Sequence, residues 1–187
     1  MNRYIEQVEK FYSKDEKKYH TIHHVERLFD LYNQYRDEFI KEFPNLNENA
    51  LFEAMAYHDC VYVIGDKFNE ELSAQAYLKD FPFAKSHVYN AILSTKVGYS
   101  NFKNDVEKIL HDLDWSSFSQ DYELFTKDAE GIIYEAVCEG RYSENMVRAN
   151  QKKFYENYMD KDIYVTNTFS KFNEVARMNL KRRHDEL

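Results

Sequence analysis

The sequence predicts an all-α fold, and three observations carry that expectation. Glycine and proline are scarce, with four Gly and two Pro (Pro44 and Pro82) in 187 residues, so few positions break a helix. Glu and Lys abound, and apolar residues recur at helical spacing. No period-two run of β-branched residues lasts long enough to make a sheet. The chain is long enough to bury a proper core, and without an internal repeat or low-complexity linker residues 1–187 read as one domain.

Tyr4 to Tyr12 forms a first amphipathic helix with Tyr4, Ile5, Val8, Phe11 and Tyr12 inward, and the charge run Lys14 to Lys18 ends it as a solvated loop. A second helix starts at Thr21, whose hydroxyl is suited to capping, and runs to about Phe39 with Val25, Leu28, Phe29 and Tyr32 on its apolar side. After Pro44, Asn47 caps a third helix that carries His58 and Asp59. Gly65 and Asp66 make a turn. A helix follows from near Asn69 to just before Pro82, then another from Ser86 to Thr95 with Val88 and Ile92 inward and a loop through Gly98. Val106 to Leu113 supplies one or two turns that deliver Asp112 and Asp114 at their end. Helical patterns over Ser119 to Cys138, Ser143 to Tyr158 and Thr166 to Arg183 complete the chain, with KRRHDEL as a frayed tail.

A formal net charge of −8, spread along the chain, disfavours a nucleic-acid duplex as partner, because such binders carry a basic stripe. Cys60 and Cys138 are too few for a disulfide framework and read as reduced thiols. No apolar stretch approaches the roughly 20 residues of a membrane span. The first residues, MNRYIEQVEKFYSKDEKKYH, lack the apolar centre of a signal peptide, so the expected location is cytoplasmic.

The chemistry centres on Leu51 to Tyr62, LFEAMAYHDCVY. Leu51, Met55, His58 and Tyr62 share a helical face, which puts an imidazole, with the Asp59 carboxylate beside it, against the core. Burying a carboxylate uncompensated costs several kcal/mol, and a metal ion is one of the few groups that satisfies both side chains. A simple hydrogen-bonded His-Asp pair is the plainer alternative. His-Asp pairs also occur at His111-Asp112, in a partly polar turn, and His184-Asp185, in the charged tail, but only His58-Asp59 follows a long apolar run.

Two other stretches offer partners. YHTIHH sets His20 and His24 four residues apart, on one face if both are helical; Thr21 stands where a zincin needs Glu, which disfavours a zinc peptidase. The alternative leaves His20 and His23 on the surface and His24 as a hydrogen-bonded core residue. In ILHDLDWSSF, Asp112 and Asp114 stand among apolar neighbours, where one of them is coordinated or caps the next helix. Glu70 and Glu71 open a helix; they suit its positive end and equally suit accepting a proton.

Taken in order, a His, a His-Asp pair and a distant Asp resemble the HD superfamily of metal-dependent phosphohydrolases. The chain looks most like its small family of predicted metal-dependent HD phosphohydrolases. The matching positions are Tyr19-His20…His24, His58-Asp59…Tyr62, Asn69-Glu70-Glu71…Ser73-Ala74, Thr95-Lys96, Asp112…Asp114 and Ile163-Tyr164…Glu174…Ala176-Arg177…Asn179-Leu180, spanning Tyr19 to Leu180. The entry motif is also similar to that of cyclic-nucleotide phosphodiesterases.

The resemblance implies a helical HD-type bundle with a metal site in a central cleft. It implies metal ligation by His24, His58, Asp59 and Asp114, with Asp112 the competitor for the last place. It makes His20 the general acid; Glu70 or Glu71 is then the candidate to accept a proton from water, beside the plainer reading of both as helix-start acids. The chain departs from the pattern at Thr21, where Asn is usual, and at Val97-Gly98, where a His is common, which points to a single ion. Ile132 to Ala136 also lacks an expected basic residue, so phosphate binding falls to Lys96 or Arg177, with Arg141 and Arg148 as other candidates.

A mixed nitrogen and oxygen donor set suits Mn²⁺, Fe²⁺, Co²⁺, Ni²⁺ or Zn²⁺ better than a pure Mg²⁺ site, and the donors alone do not choose among them. The expected activity is hydrolysis of a phosphate ester, a nucleotide or related small phosphorylated metabolite, by metal-activated water. The alternative is a catalytically reduced module that binds metal and nucleotide for regulation. Oligomeric state is left open.

Overall fold

A computed structural model describes residues 2–12, 17–83 and 86–187, and it is all-helical. Residues 14–16 of the expected charged loop lie outside the described residues. The elements are α1 (Asn2–Tyr12), α2 (Ile22–Glu42), α3 (Glu48–Tyr57), α4 (Asn69–Asp80), α5 (Ser86–Leu93), α6 (Asp105–Asp114), a 3-10 turn (Trp115–Ser119), α7 (Tyr122–Cys138), α8 (Glu144–Tyr158), α9 (Asn167–Ser170) and α10 (Asn173–Glu186). Among the described residues no helix is long and apolar enough to cross a membrane. The chain divides into two compact units. The first holds α1 to α6, and the second holds the stretch ending at Tyr19 together with everything from Trp115 onward.

In the first unit α3 is the hub, packing against α1, α2, α4, α5 and α6. Its sequence explains this, because a helix apolar on nearly every side has no face for water. Leu51, Ala54, Met55, Ala56 and Tyr57 are all fully buried, and the small Ala residues let neighbours approach closely. Aromatic rings fill the space between α1, α2 and α3, with Phe52 edge-on to Tyr4 and Tyr32 at 5.9 and 5.4 Å. Core tyrosines keep their hydroxyls satisfied at the rim: Tyr12 donates to Ala56 O, Tyr57 to Asp80 and Tyr77 to Glu53.

Asn47 caps α3 as expected, its Oδ1 accepting from Ala50 N at 3.2 Å. Glu48 follows, accepting from Tyr32 Oη at 2.7 Å and from two nitrogens of Arg36 at 2.6 and 2.7 Å. Arg36 above all holds this carboxyl below the usual Glu range. A depressed carboxylate adds stability above its unfolded value and loses it as pH falls through the folded one. Glu48→Gln is therefore expected to lower the melting temperature near neutral pH, with the gap closing as pH falls below the ordinary Glu value and through the lowered one. Thermal melts across pH check this, and a gap undiminished in acid contradicts it.

Several boundaries differ from expectation for local reasons. Thr21 stands at the N-cap of α2, but its side chain makes no capping bond. α3 ends at Tyr57, so His58 is its C-cap and Asp59 lies in the following turn rather than in the helix. α5 stops at Leu93 because the Ser94 and Thr95 hydroxyls bond back to Ala91 O and Ile92 O at 2.7 and 2.8 Å. α6 is a full ten residues, which puts His111-Asp112 inside a helix and not in a turn. Its start is locked by a reciprocal cap: Asn104 Oδ1 accepts from Glu107 N, and the Glu107 carboxylate accepts from Asn104 Nδ2 and Lys103 N.

In the second unit α7, α8 and α10 pack around Phe118, Phe125, Phe154 and Tyr155, and α7 and α10 also pack on the 3-10 turn. Asp121 rather than Ser119 starts α7, accepting from Glu123 N, and Ser143 caps α8. The last expected helix is two, α9 and α10, parted at Lys171 and Phe172. The tail is not frayed: Arg183 is buried and paired with Glu130, while Tyr122 donates to Glu186. Lys17 is not solvated, since its side chain is only 8% exposed and paired with Glu139 at 3.0 Å.

Candidate metal centre

Three helix ends of the first unit converge on one spot. α2 brings His24 in its first turn, α3 brings His58 at its C-cap with Asp59 just beyond, and α6 brings Asp114 as its last residue. Two of these are helix C-termini, whose partial negative charge favours a cation. One ligand atom from each of His24, His58, Asp59 and Asp114 lies within 4.8 Å of the other three. His58 Nε2 is the centre of the group, at 3.2 Å from His24 Nε2, 3.1 Å from Asp59 Oδ2 and 3.3 Å from Asp114 Oδ1. Asp114 Oδ1 also lies 3.3 Å from His24 Nε2.

The hydrogen bonding of His58 says what this spot accommodates. Its Nδ1 lies 2.9 Å from Met55 O, and a carbonyl only accepts, so Nδ1 carries a proton. A neutral His58 ring then directs a bare Nε2 lone pair at two carboxylates and a second imidazole. Such an arrangement holds together only around positive charge, either a second proton on His58 or a metal ion. The protonation energetics agree. Burial works against a charged His58, but Asp59 and Asp114 outweigh it and raise its pKa well above normal. Burial lowers the pKa of His24. Burial likewise opposes ionisation of Asp114, yet the two imidazoles hold its carboxyl far below the usual range. Two carboxylates and two neutral imidazoles balance a divalent ion, whereas one imidazolium leaves the set a charge short, so the residues fit a divalent metal.

His20 precedes α2 in a bend and is 6% exposed, with Nε2 4.0 Å from Asp59 Oδ2. Its ring stacks on Tyr62, centroids 3.5 Å apart and planes 17° off parallel. Asp112 is fully buried within α6 and is not part of the cluster, so Asp114 rather than Asp112 joins the two imidazoles. His23 points outward with a side chain 83% exposed.

Glu70 and Glu71 open α4. Burial raises the Glu70 carboxyl above the ordinary range; the Asp59 and Glu71 charges add to that rise and Lys96 opposes it. Glu71 is bound to Lys96 at 2.9 Å. The Lys96 ammonium also donates to Lys67 O at 2.6 Å and lies 3.8 Å from Glu70 Oε2, so its charge is committed to these carboxylates. Arg177 belongs to the second unit, where Asp162 pairs with it. Of the other cations considered, Arg148 is held by Glu130 and Glu144.

Asn69 and Ser73, which the sequence offered as motif positions without a role, anchor the loop after the His-Asp pair. Asn69 is the first residue of α4 rather than its cap. Its side-chain amide accepts from Val63 N and donates to Val63 O, both at 2.9 Å. Ser73 Oγ treats Val61 in the same way, at 3.0 and 3.1 Å. Gly65, with φ of 77°, sits in the turn that Asp66 N closes on Val63 O. The sequence signals were their place in the Asn69-Glu70-Glu71…Ser73-Ala74 motif and their spacing of four, on the same face of one helix.

No family model matches the chain, and neither does any curated protein or solved structure. What the site can do is therefore argued from its own donors, charges and burial.

Proposed function

We propose that this chain is a metal-dependent hydrolase of a phosphate ester, a phosphomonoesterase or phosphodiesterase of the HD type, acting on a nucleotide or related small phosphorylated metabolite. The observation that carries the reading is the convergence of His24, His58, Asp59 and Asp114 within 4.8 Å, from residues far apart in sequence. A divalent ion held by them would supply Lewis acidity, polarising a phosphoryl oxygen and acidifying water to a pKa of about 7 in zinc-like cases.

The remaining tasks fall to side chains around the four ligands. His20 Nε2, near Asp59, would donate a proton to the leaving oxygen. Glu70, with its carboxyl biased towards holding a proton, would accept one from the attacking water. Lys96 holds Glu71 and limits the rise at Glu70, and would meet the phosphate only by exchanging a carboxylate partner. That commitment is the observation that favours the second reading, a regulatory module that binds metal and nucleotide without turnover.

Metal-supplemented assays on a panel of mono-, di- and triphosphates and cyclic nucleotides decide between the two. Wild type is expected to release phosphate or open a cyclic ester, and Asp59→Ala to lose at least about 100-fold of that rate. Equal rates in the two proteins sink the hydrolase. Nucleotide-dependent melting without turnover favours the module.

A further inference from the structure

Tyr62 is the residue beside the metal centre that neither ligation nor proton transfer uses, and it is held unusually well for a loop position. The residues on both sides of it are clamped: Val61 N and O to Ser73 Oγ, and Val63 N and O to the Asn69 amide. Each clamp satisfies the backbone N–H and C=O of one residue, so the loop resembles one edge of a strand paired to side chains of α4. The backbone at Tyr62 therefore has little freedom. Its ring lies on the His20 ring at a centroid distance of 3.5 Å, near the closest that two parallel rings approach.

His20, by contrast, precedes the first turn of α2 in a bend, so no helix of its own fixes its ring. The orientation of such a ring is set by what packs on its faces and what meets its nitrogens. Tyr62 covers one, and Nε2 is then directed to the Asp59 side of the site.

From this geometry we infer that Tyr62 is a positioning residue for His20. Through a stack anchored by Asn69 and Ser73, it keeps the imidazole in the orientation from which a proton reaches a leaving group beside Asp59. The role assigned to His20 rests on the hydrolase reading; the stack itself does not. The stack is a contact between ring faces, so a phenyl ring is expected to serve as well.

The test uses full-length chain loaded with Zn²⁺, in wild type, Tyr62→Phe and Tyr62→Leu forms, with Asn69→Leu as a variant that loosens the loop and touches neither ring. Side-chain NMR reads the His20 ring protons. They are expected upfield by the ring current in wild type and Tyr62→Phe, and to move towards ordinary positions in Tyr62→Leu and partly in Asn69→Leu. Turnover of the nucleotide that wild type hydrolyses fastest is expected to fall up to about 100-fold in kcat for Tyr62→Leu. KM and bound Zn²⁺ should be little changed, and Tyr62→Phe should restore kcat. Unmoved His20 resonances in Tyr62→Leu, or failure of Tyr62→Phe to restore kcat, overturn the assignment to Tyr62. Absence of turnover in wild type with an intact ring-current signature overturns the hydrolase reading and the proton-donor role instead, so the two failures are told apart.

Discussion

Asp114→Ala should leave a folded protein that binds divalent metal more than about 100-fold more weakly than wild type. Loss of a group that merely supports a ligand typically costs about 10–100-fold, and Asp114 is one of the proposed ligands. It is the last residue of α6, so truncation removes no interior helical contact, and its Oδ1 lies 3.3 Å from both imidazoles. Without it, a divalent ion faces one carboxylate and two neutral rings, and charge balance fails. Competition against a chromophoric chelator measures the change. Asp112→Ala makes the informative contrast. Asp112 is fully buried in the same helix, so its loss should lower stability while metal affinity stays within a few-fold. If the two variants bind metal alike, the ligand set is wrong.

The second large effect belongs to Glu135, which has no catalytic role in this account. Its side chain is fully buried, and Oε1 accepts from the backbone N–H of Lys18 and of Tyr19, each at 2.6 Å, while Lys17 Nζ lies 3.7 Å from Oε2. This α7 carboxylate thereby holds the chain segment that runs into His20. Glu135→Ala takes the acceptor from two backbone donors and removes one of the carboxylates beside the Lys17 ammonium, Glu139 remaining at 3.0 Å. Breaking a buried, hydrogen-bonded charge typically costs about 3–5 kcal/mol. The expected result in urea denaturation is a loss of that order, with Glu135→Gln recovering part because one acceptor oxygen remains. A loss under about 1 kcal/mol contradicts the account.

How much of this was legible in the sequence depends on the range over which each feature is decided. α3 could be read because its apolar run is nearly continuous, and continuity alone requires burial; Leu51, Met55 and Tyr57 are fully buried. Asn47 could be read as a cap because the bond spans three residues. Asn69 offers the same kind of side chain at a helix start, yet its amide turns to Val63, and nothing local announces that choice. The tail failed for a related reason. KRRHDEL is charged throughout, but Arg183 finds Glu130, 53 positions away in sequence, and the helix persists.

The four proposed ligands were legible as an ordered series, and helix geometry narrowed the question between Asp112 and Asp114 without choosing between them. Residues two apart on an α-helix point about 200° apart, so only one of them can face a common point with His24 and His58. What no periodicity reveals is the commitment of Lys96 to Glu71 and Lys67 O, or the stack of Tyr62 on His20, since both depend on how α4 and its preceding loop dock.

The central claim is that His24, His58, Asp59 and Asp114 hold one divalent ion. Elemental analysis of full-length protein, purified without chelator and compared with Asp59→Ala handled identically, tests it most directly. About one transition-metal ion per chain in wild type, lost in Asp59→Ala, is the result predicted. A folded wild type without stoichiometric metal even after reconstitution, or an Asp59→Ala variant that retains its ion in full, would contradict it.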